Sequence, residues 1–184
     1  MAEGKNEKYK IRKLINERKT ALGIEEKVSS AQRIFEQLEA RPEFINATHI
    51  LIYHSLPDEV ETREFITCWQ NDKELFLPVV KGEQLVIKRY CKNNLTTGMY
   101  GIMEPSGNEY PPELIDLVIV PGIAFDRKRN RLGRGKGYYD RLLNGHKCLK
   151  VGIAYSCQII PELPAEPHDI KMDIIITPDE IINE

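Results

Sequence analysis

The chain has no run approaching the roughly 20 apolar residues that a bilayer-spanning helix needs, which argues against an integral membrane role. Cysteine is scarce and scattered: Cys68, Cys91, Cys148 and Cys157 form no C-x-x-C pair, so a disulfide framework or zinc ribbon is not expected and reduced thiols are. The histidines His49, His54, His146 and His168 make no H-x-x-x-H pair, and zinc hydrolysis has no ligand pattern to rest on. Neither sign of charge dominates. A net charge of −2 does not suit a protein that binds long polyanions over its whole surface. The opening residues Met1-Ala2-Glu3-Gly4-Lys5 are polar with no apolar run behind them, unlike an export signal. Together these absences predict a cytoplasmic protein with no membrane and no nucleic-acid partner.

What is present is an ordinary globular balance. Hydrophobic residues make up 41% and charged residues 29% of 184 residues, enough for one sizeable core, and the reading is a single domain over residues 1–184. Ile11, Leu14, Ile15 and Leu22, then Val28, Ala31, Phe35 and Leu38, recur at helical spacing and predict two helices punctuated by Gly23 and ended at Arg41-Pro42. Ala47–Tyr53, Glu74–Val80, Gln84–Cys91, Leu114–Pro121, Leu149–Tyr155 and Met172–Thr177 read as strands. A helix is expected up to Trp69, another over Tyr138–Leu143, and loop over Thr96–Pro112. Apolar strands alternating with helices imply a three-layer α/β/α fold with a mostly parallel central sheet. Ligands of such sheets lie beyond the carboxyl ends of the strands, which points to the loops leaving Tyr53, Pro121 and Tyr155.

One segment departs from the even charge balance. Arg127, Lys128, Arg129, Arg131, Arg134, Lys136 and Arg141 fall within a single short stretch, interleaved with Gly133, Gly135 and Gly137. Alternate glycines free the backbone to bring its N–H groups close to a ligand, and a helix start behind the loop adds free donors. Arg134 and Lys136 could neutralise phosphate oxygens, and Asp140 in the first helical turn could hold a magnesium ion. The loop is not a Walker A motif, because Lys136 is followed by Gly137 rather than Ser or Thr. Nor is it G-x-G-x-x-G, since the third glycine comes one residue early. A basic surface loop or an RNA-facing patch fits the same spacing, and Tyr138-Tyr139 could be plain core aromatics.

The string Asn130-Arg131-Leu132-Gly133-Arg134-Gly135-Lys136-Gly137-Tyr138-Tyr139-Asp140 resembles the signature of the 5-formyltetrahydrofolate cyclo-ligase, or methenyltetrahydrofolate synthetase, family. Lys8-x-x-x-Arg12, Asp58-Glu59-Val60-Glu61-Thr62, Pro121–Asp126 and Pro167–Asp173 match in the same order along the chain. The resemblance implies an ATP- and Mg2+-dependent ligase acting on a small-molecule folate. ATP phosphorylates the formyl oxygen on N5, N10 closes the ring, and phosphate leaves to give 5,10-methenyltetrahydrofolate. Such chemistry asks the protein for positioning, charge neutralisation and exclusion of water.

By the same resemblance, ATP is bound by Lys8, Arg12, Arg131, Leu132, Gly133, Arg134, Gly135, Lys136, Gly137, Tyr138 and Tyr139. Arg134 and Lys136 are the catalytic pair, and Arg134–Tyr138 also border the folate. Asp140 and Asp169 match the magnesium positions, with Asp173 as a nearby substitute for Asp169. Glu59 matches an acidic residue that grips the pterin N–H groups, with Glu61 two residues away. Tyr100 falls where many relatives carry a folate-stacking Trp, and His54 could line the pterin site or be an ordinary loop histidine. Read from residue types alone, Lys8 and Arg12 are an ordinary solvated pair one helical turn apart. The expected assembly is a monomer or weak homodimer. Two rival readings remain: a sugar-phosphate or coenzyme A-ester enzyme, which would need no Lys8/Arg12 pair, and an RNA-binding module, which would want more interleaved aromatics.

Overall fold

The computed structural model describes residues 2–98, 101, 103–166 and 169–183. Helices α1 (Ala2–Ala21), α2 (Ile24–Glu39) and α3 (Pro42–Asn46) lead into strand β1 (His49–Leu51), and α4 (Arg63–Trp69) follows. Strands β2 (Glu74–Lys81) and β3 (Gln84–Arg89) form a hairpin, and β4 (Leu95–Thr97), β5 (Met103–Pro105) and β6 (Glu109–Tyr110) follow. Then come β7 (Leu117–Val120), β8 (Ala124–Asp126), β9 (Arg131–Leu132), α5 (Tyr138–Leu143) and β10 (Leu149–Ile153), and last β11 (Ile159–Ile160), β12 (Ile174–Ile176) and β13 (Ile181–Ile182). Eight strands make the main sheet in the order β13-β12-β10-β7-β1-β2-β3-β6. The run from β12 to β2 is parallel, and the antiparallel pairs lie at its two edges.

Burial on both faces explains why the central strands are apolar without interruption. Leu117 and Ile119 pack with Ile34, Phe44, Phe65 and Ile66 of α2, α3 and α4 on one face. Val118 and Val120 pack with Leu142 and Leu143 of α5 and with Phe125 on the other. Alternate side chains of a strand point to opposite faces, so each β7 residue belongs to one of two helix layers. The three-layer architecture with a mostly parallel sheet is therefore the one the sequence implies.

The strand expected over Gln84–Cys91 is present as β3: Lys81 pairs with Gln84 across a two-residue turn whose Gly82 has φ +62°, and β3 runs back antiparallel at the side of the parallel run. Two expectations are corrected. Thr96–Pro112 is not plain loop, since it carries β5, β6 and part of β4. The basic segment does not leave the central strand directly either. A small sheet, β11-β8-β9, intervenes, and its β8–β9 turn places Arg129 at φ +64°. Buried Asp126 holds that turn by accepting from Asn130 N at 2.9 Å, Asn130 Nδ2 at 2.8 Å and Leu163 N at 2.9 Å.

Helix α1 lies over this small sheet. Ile15 is fully buried with Ile123, Ala124, Leu132 and Leu163. Lys8, Arg12, Ile15 and Lys19 share the face that meets the body of the protein, at steps that keep them on one side of a helix. Among the described residues no helix is long and apolar enough to cross a membrane.

Candidate active site

A cavity of about 770 Å³ opens beyond the carboxyl ends of β1 and β7. Three sources line it: the face of α1, the loops after Tyr53 and Pro121 together with the glycine-rich segment, and an apolar wall of Leu77, Pro78, Val80, Leu85 and Met103. Tyr155 does not line it, although its hydroxyl donates to the Glu59 carbonyl at 3.0 Å and so braces the wall from behind. Of the residues expected to bind ATP or folate, Lys8, Arg12, His54, Glu59 and all of Arg131–Tyr139 line this one space, as do Asp140 and Asp169. Tyr100 lies outside the described residues.

The glycines do what their spacing suggests. Gly135 has φ +94° and Gly137, which begins α5, has φ +65°. A Cβ at Gly135 would sit 3.3 Å from Arg12 Nη2, and one at Gly137 would sit 2.8 Å from Arg141 Nη1. A side chain at either place would be strained and crowded. Helix α5 is only six residues long, so its dipole contributes little and the charge of the cradle comes from side chains.

Those cations fall into two groups. Lys8 Nζ lies 3.0 Å from Asp169 Oδ2 and 3.3 Å from Glu166 Oε2. Arg131, 5% exposed, donates to both Asp140 oxygens at 3.0 Å and stacks 5.6 Å from the Tyr139 ring. Arg134 donates to Asp58 at 2.6 Å and to Glu59 at 3.0 Å. Arg12, in contrast, meets only a carbonyl among the described residues, donating from Nε to Gly133 O at 2.9 Å, and its partial burial pulls the guanidinium below its usual pKa. Lys136 has no hydrogen bond or ion pair for its ammonium among the described residues.

The acidic residues separate in the same way. The Glu59 side chain is 11% exposed in the wall, with Oε2 accepting from Leu56 N at 3.0 Å. Glu61 turns away to Arg63 and to Ser55, whose hydroxyl lies at 2.9 Å. The Arg63 side chain, against some burial, holds the Glu61 carboxyl down to about 2. Asp169 faces the cavity, whereas Asp173 accepts from Lys150 N at 2.7 Å and from its ammonium at 2.8 Å, tying the approach of β12 to β10. His54 donates from Nδ1 to the Met103 carbonyl at 3.0 Å, and burial lowers its pKa. Burial likewise raises the Tyr139 hydroxyl far above its ordinary value, so the ring is a neutral wall.

Sequence reasoning missed two parts of the site. The apolar wall comes from the β2–β3 hairpin, and the signal for that hairpin is Lys81-Gly82-Glu83 between two apolar runs. Lys19 is missed as well, though it continues the α1 face that carries Lys8 and Arg12, and Asp58 is read only as part of the matched Asp58–Thr62 motif. Among the described residues no cluster of three or more His, Cys, Asp or Glu side chains is placed to hold a metal by itself.

Comparison with known proteins converges on one group. The profile of the 5-formyltetrahydrofolate cyclo-ligase family matches residues 4–178. The chain is 29% identical to the 5-formyltetrahydrofolate cyclo-ligase of Escherichia coli over 91% of its own length and 98% of the relative's. It is 30% identical to the mouse 5-formyltetrahydrofolate cyclo-ligase, covering 92% of each chain. The solution structure of Aquifex aeolicus 5,10-methenyltetrahydrofolate synthetase superimposes with a TM-score of 0.88 at 36% identity, covering 96% of this chain and 92% of that one. The fold, the glycine-rich loop and the matched length together establish that the chain belongs to the 5-formyltetrahydrofolate cyclo-ligase family and is an enzyme of that class.

Proposed function

We propose that the cavity cyclises 5-formyltetrahydrofolate to 5,10-methenyltetrahydrofolate and consumes one ATP, releasing ADP and phosphate. The observation that carries this reading is the pair Arg12 and Lys136, two cations that face the cavity and have no carboxylate partner among the described residues. A partly buried guanidinium without an acidic partner is costly unless a ligand brings the negative charge. The triphosphate of ATP brings it.

The chemistry follows from the substrate. A formamide oxygen is a poor leaving group until phosphorylated. Its oxygen takes the γ-phosphoryl group and ADP departs. N10 then attacks the formyl carbon, the carbon–oxygen bond breaks, phosphate leaves, and the N10 proton passes to solvent. Lys136 and Arg134, on the glycine-rich loop, neutralise charge on the transferring group, and Arg12 and Lys8 hold the remaining phosphates. Glu59 accepts the pterin N–H donors, and Leu77, Val80, Leu85 and Met103 cover the apolar rings and keep water from the activated formyl carbon. His54 lies on that wall.

Asp140 and Asp169 fit a magnesium ion that arrives with its phosphates. Both carboxylates line the cavity, and magnesium asks for only one or two carboxylates beside waters and phosphate oxygens. When bound, the ion neutralises phosphate charge. We place the enzyme in the cytosol, which suits its free thiols, as a single domain working as a monomer or weak homodimer. No nucleic acid is needed. Arg127 is paired with Glu180, Lys128 with Glu162 and Arg131 with Asp140, which leaves the basic segment little charge to offer a polymer.

The test is an absorbance assay for methenyl-folate with ATP and magnesium each withheld. Product should form only when both are present, and full-rate turnover in EDTA without nucleotide would overturn the reading.

A further inference from the structure

Among the described residues Lys19 is the one buried lysine, at 2% exposure, yet it does not line the cavity. Its ammonium donates to the Asp58 carbonyl at 2.9 Å and to Asp58 Oδ2 at 2.7 Å. The other carboxylate oxygen, Oδ1, accepts from Arg134 Nη2 at 2.6 Å. Asp58 thus stands between a buried cation on α1 and an exposed cation on the glycine-rich loop.

The two ends of this bridge differ in freedom. A buried ammonium cannot give up its carboxylate without leaving a bare charge in the interior. Lys19 therefore fixes Asp58, both by its backbone and by its side chain. Arg134 is 44% exposed and hangs from a backbone flanked by Gly133 and Gly135, which by itself would leave a long side chain many orientations. Glu59 receives Arg134 too, at 3.0 Å from Nη2 and 3.3 Å from Nε. Glu59 is held independently, through Leu56 N and through the Tyr155 hydroxyl on its carbonyl. Only Asp58 takes its place from α1, the helix that also carries Lys8 and Arg12.

We infer that Asp58, anchored by buried Lys19, is a positioning residue that aims Arg134 into the site and sets the glycine-rich loop in register with the cations of α1. The inference rests on the catalytic placement of Arg134 proposed above. Asp58 touches no reacting atom and acts only through Arg134.

Asp58→Asn, Arg134→Ala and the double variant, assayed for methenyl-folate formation, test this directly. Asp58→Asn should lower kcat roughly 10- to 100-fold, the scale of a small misplacement of a catalytic group, with both KM values close to the parent's. The double variant should be no slower than Arg134→Ala alone, because a residue that works through Arg134 has nothing left to aim. Lys19→Met should reproduce the kcat loss, and Asp58→Asn should melt below the parent because the buried ammonium keeps only the Asp58 carbonyl, so all rates are compared at a temperature where every variant is folded. Asp58→Asn turning over at the parent rate would overturn the inference, as would losses that multiply in the double variant. If Arg134→Ala is slow while Asp58→Asn is not, the anchor alone fails. If Arg134→Ala itself keeps the parent rate, the catalytic placement fails and the anchor with it.

Discussion

Arg131 and Lys136 belong to the same short segment and carry the same charge, yet they are built differently. Arg131 is buried, doubly bonded to Asp140 and stacked on Tyr139. Lys136 is exposed to the cavity with no partner among the described residues. Local sequence treats them alike, as basic residues between glycines. Surroundings make one a strut that holds the loop against α5 and the other a charge kept for a ligand. Pairing also differs between Lys8, which meets Asp169, and Arg12, one turn along the same helix and without an acid among the described residues.

Substitutions can break or sharpen that contrast. The largest effect is expected from Lys136→Ala, which removes a cation from the transferring phosphoryl group and should slow the chemical step about 100- to 1,000-fold. Because the side chain is exposed and its ammonium has no partner among the described residues, stability should move by no more than about 0.5 kcal/mol. Single-turnover rates and melting temperatures on one preparation check both halves; a normal rate would return Lys136 to the status of a surface lysine.

A smaller effect belongs to the acidic wall. Glu59→Gln should weaken folate binding by about 1.5–3 kcal/mol, or roughly 10- to 100-fold, because the charge-assisted bonds to the pterin are lost. ATP affinity should hold. Calorimetry with each ligand separately reads this, and the reverse pattern would move Glu59 to the nucleotide side of the site.

The smallest effect is expected at Glu61, a neighbour of Glu59 that turns away from the cavity. Its carboxyl is held at about 2 by the Arg63 side chain, against partial burial. A carboxyl whose folded pKa lies below its unfolded value stabilises the protein above the ordinary carboxylate range, and that contribution fades as pH falls toward about 2. The group is 40% exposed, so screening keeps the contribution below about 1 kcal/mol. Melting curves of the parent and Glu61→Gln should therefore differ slightly at neutral pH and converge in acid, with turnover unchanged. A gap that widens in acid would contradict this.

How much of this is legible before folding depends on how local the cause is. The strand expected over Leu114–Pro121 and the helix over Tyr138–Leu143 follow from apolar runs and a glycine boundary, and both appear, the strand over Leu117–Val120. The turns at Gly135 and Gly137 are legible because positive φ is a property of single residues. The apolar wall is not, because Leu77, Leu85 and Met103 meet only through an antiparallel turn at Gly82 and a later strand. Lys19 reads as one more solvated lysine in a charged helix, and only the tertiary contact with Asp58 makes it a buried anchor. The choice between Asp169 and Asp173 was open for the same reason. Their spacing says nothing of which faces the cavity, and the Lys150 contacts on β10 account for Asp173.

The central claim is that phosphoryl transfer from ATP to the formyl oxygen drives ring closure in this cavity. Counting ADP against methenyl-folate in the same absorbance assay tests it most directly. The account predicts one ADP and one phosphate for each methenyl-folate formed, and no ADP when the folate is withheld. Ring closure that proceeds without ADP, or ADP released at an equal rate without folate, would contradict it.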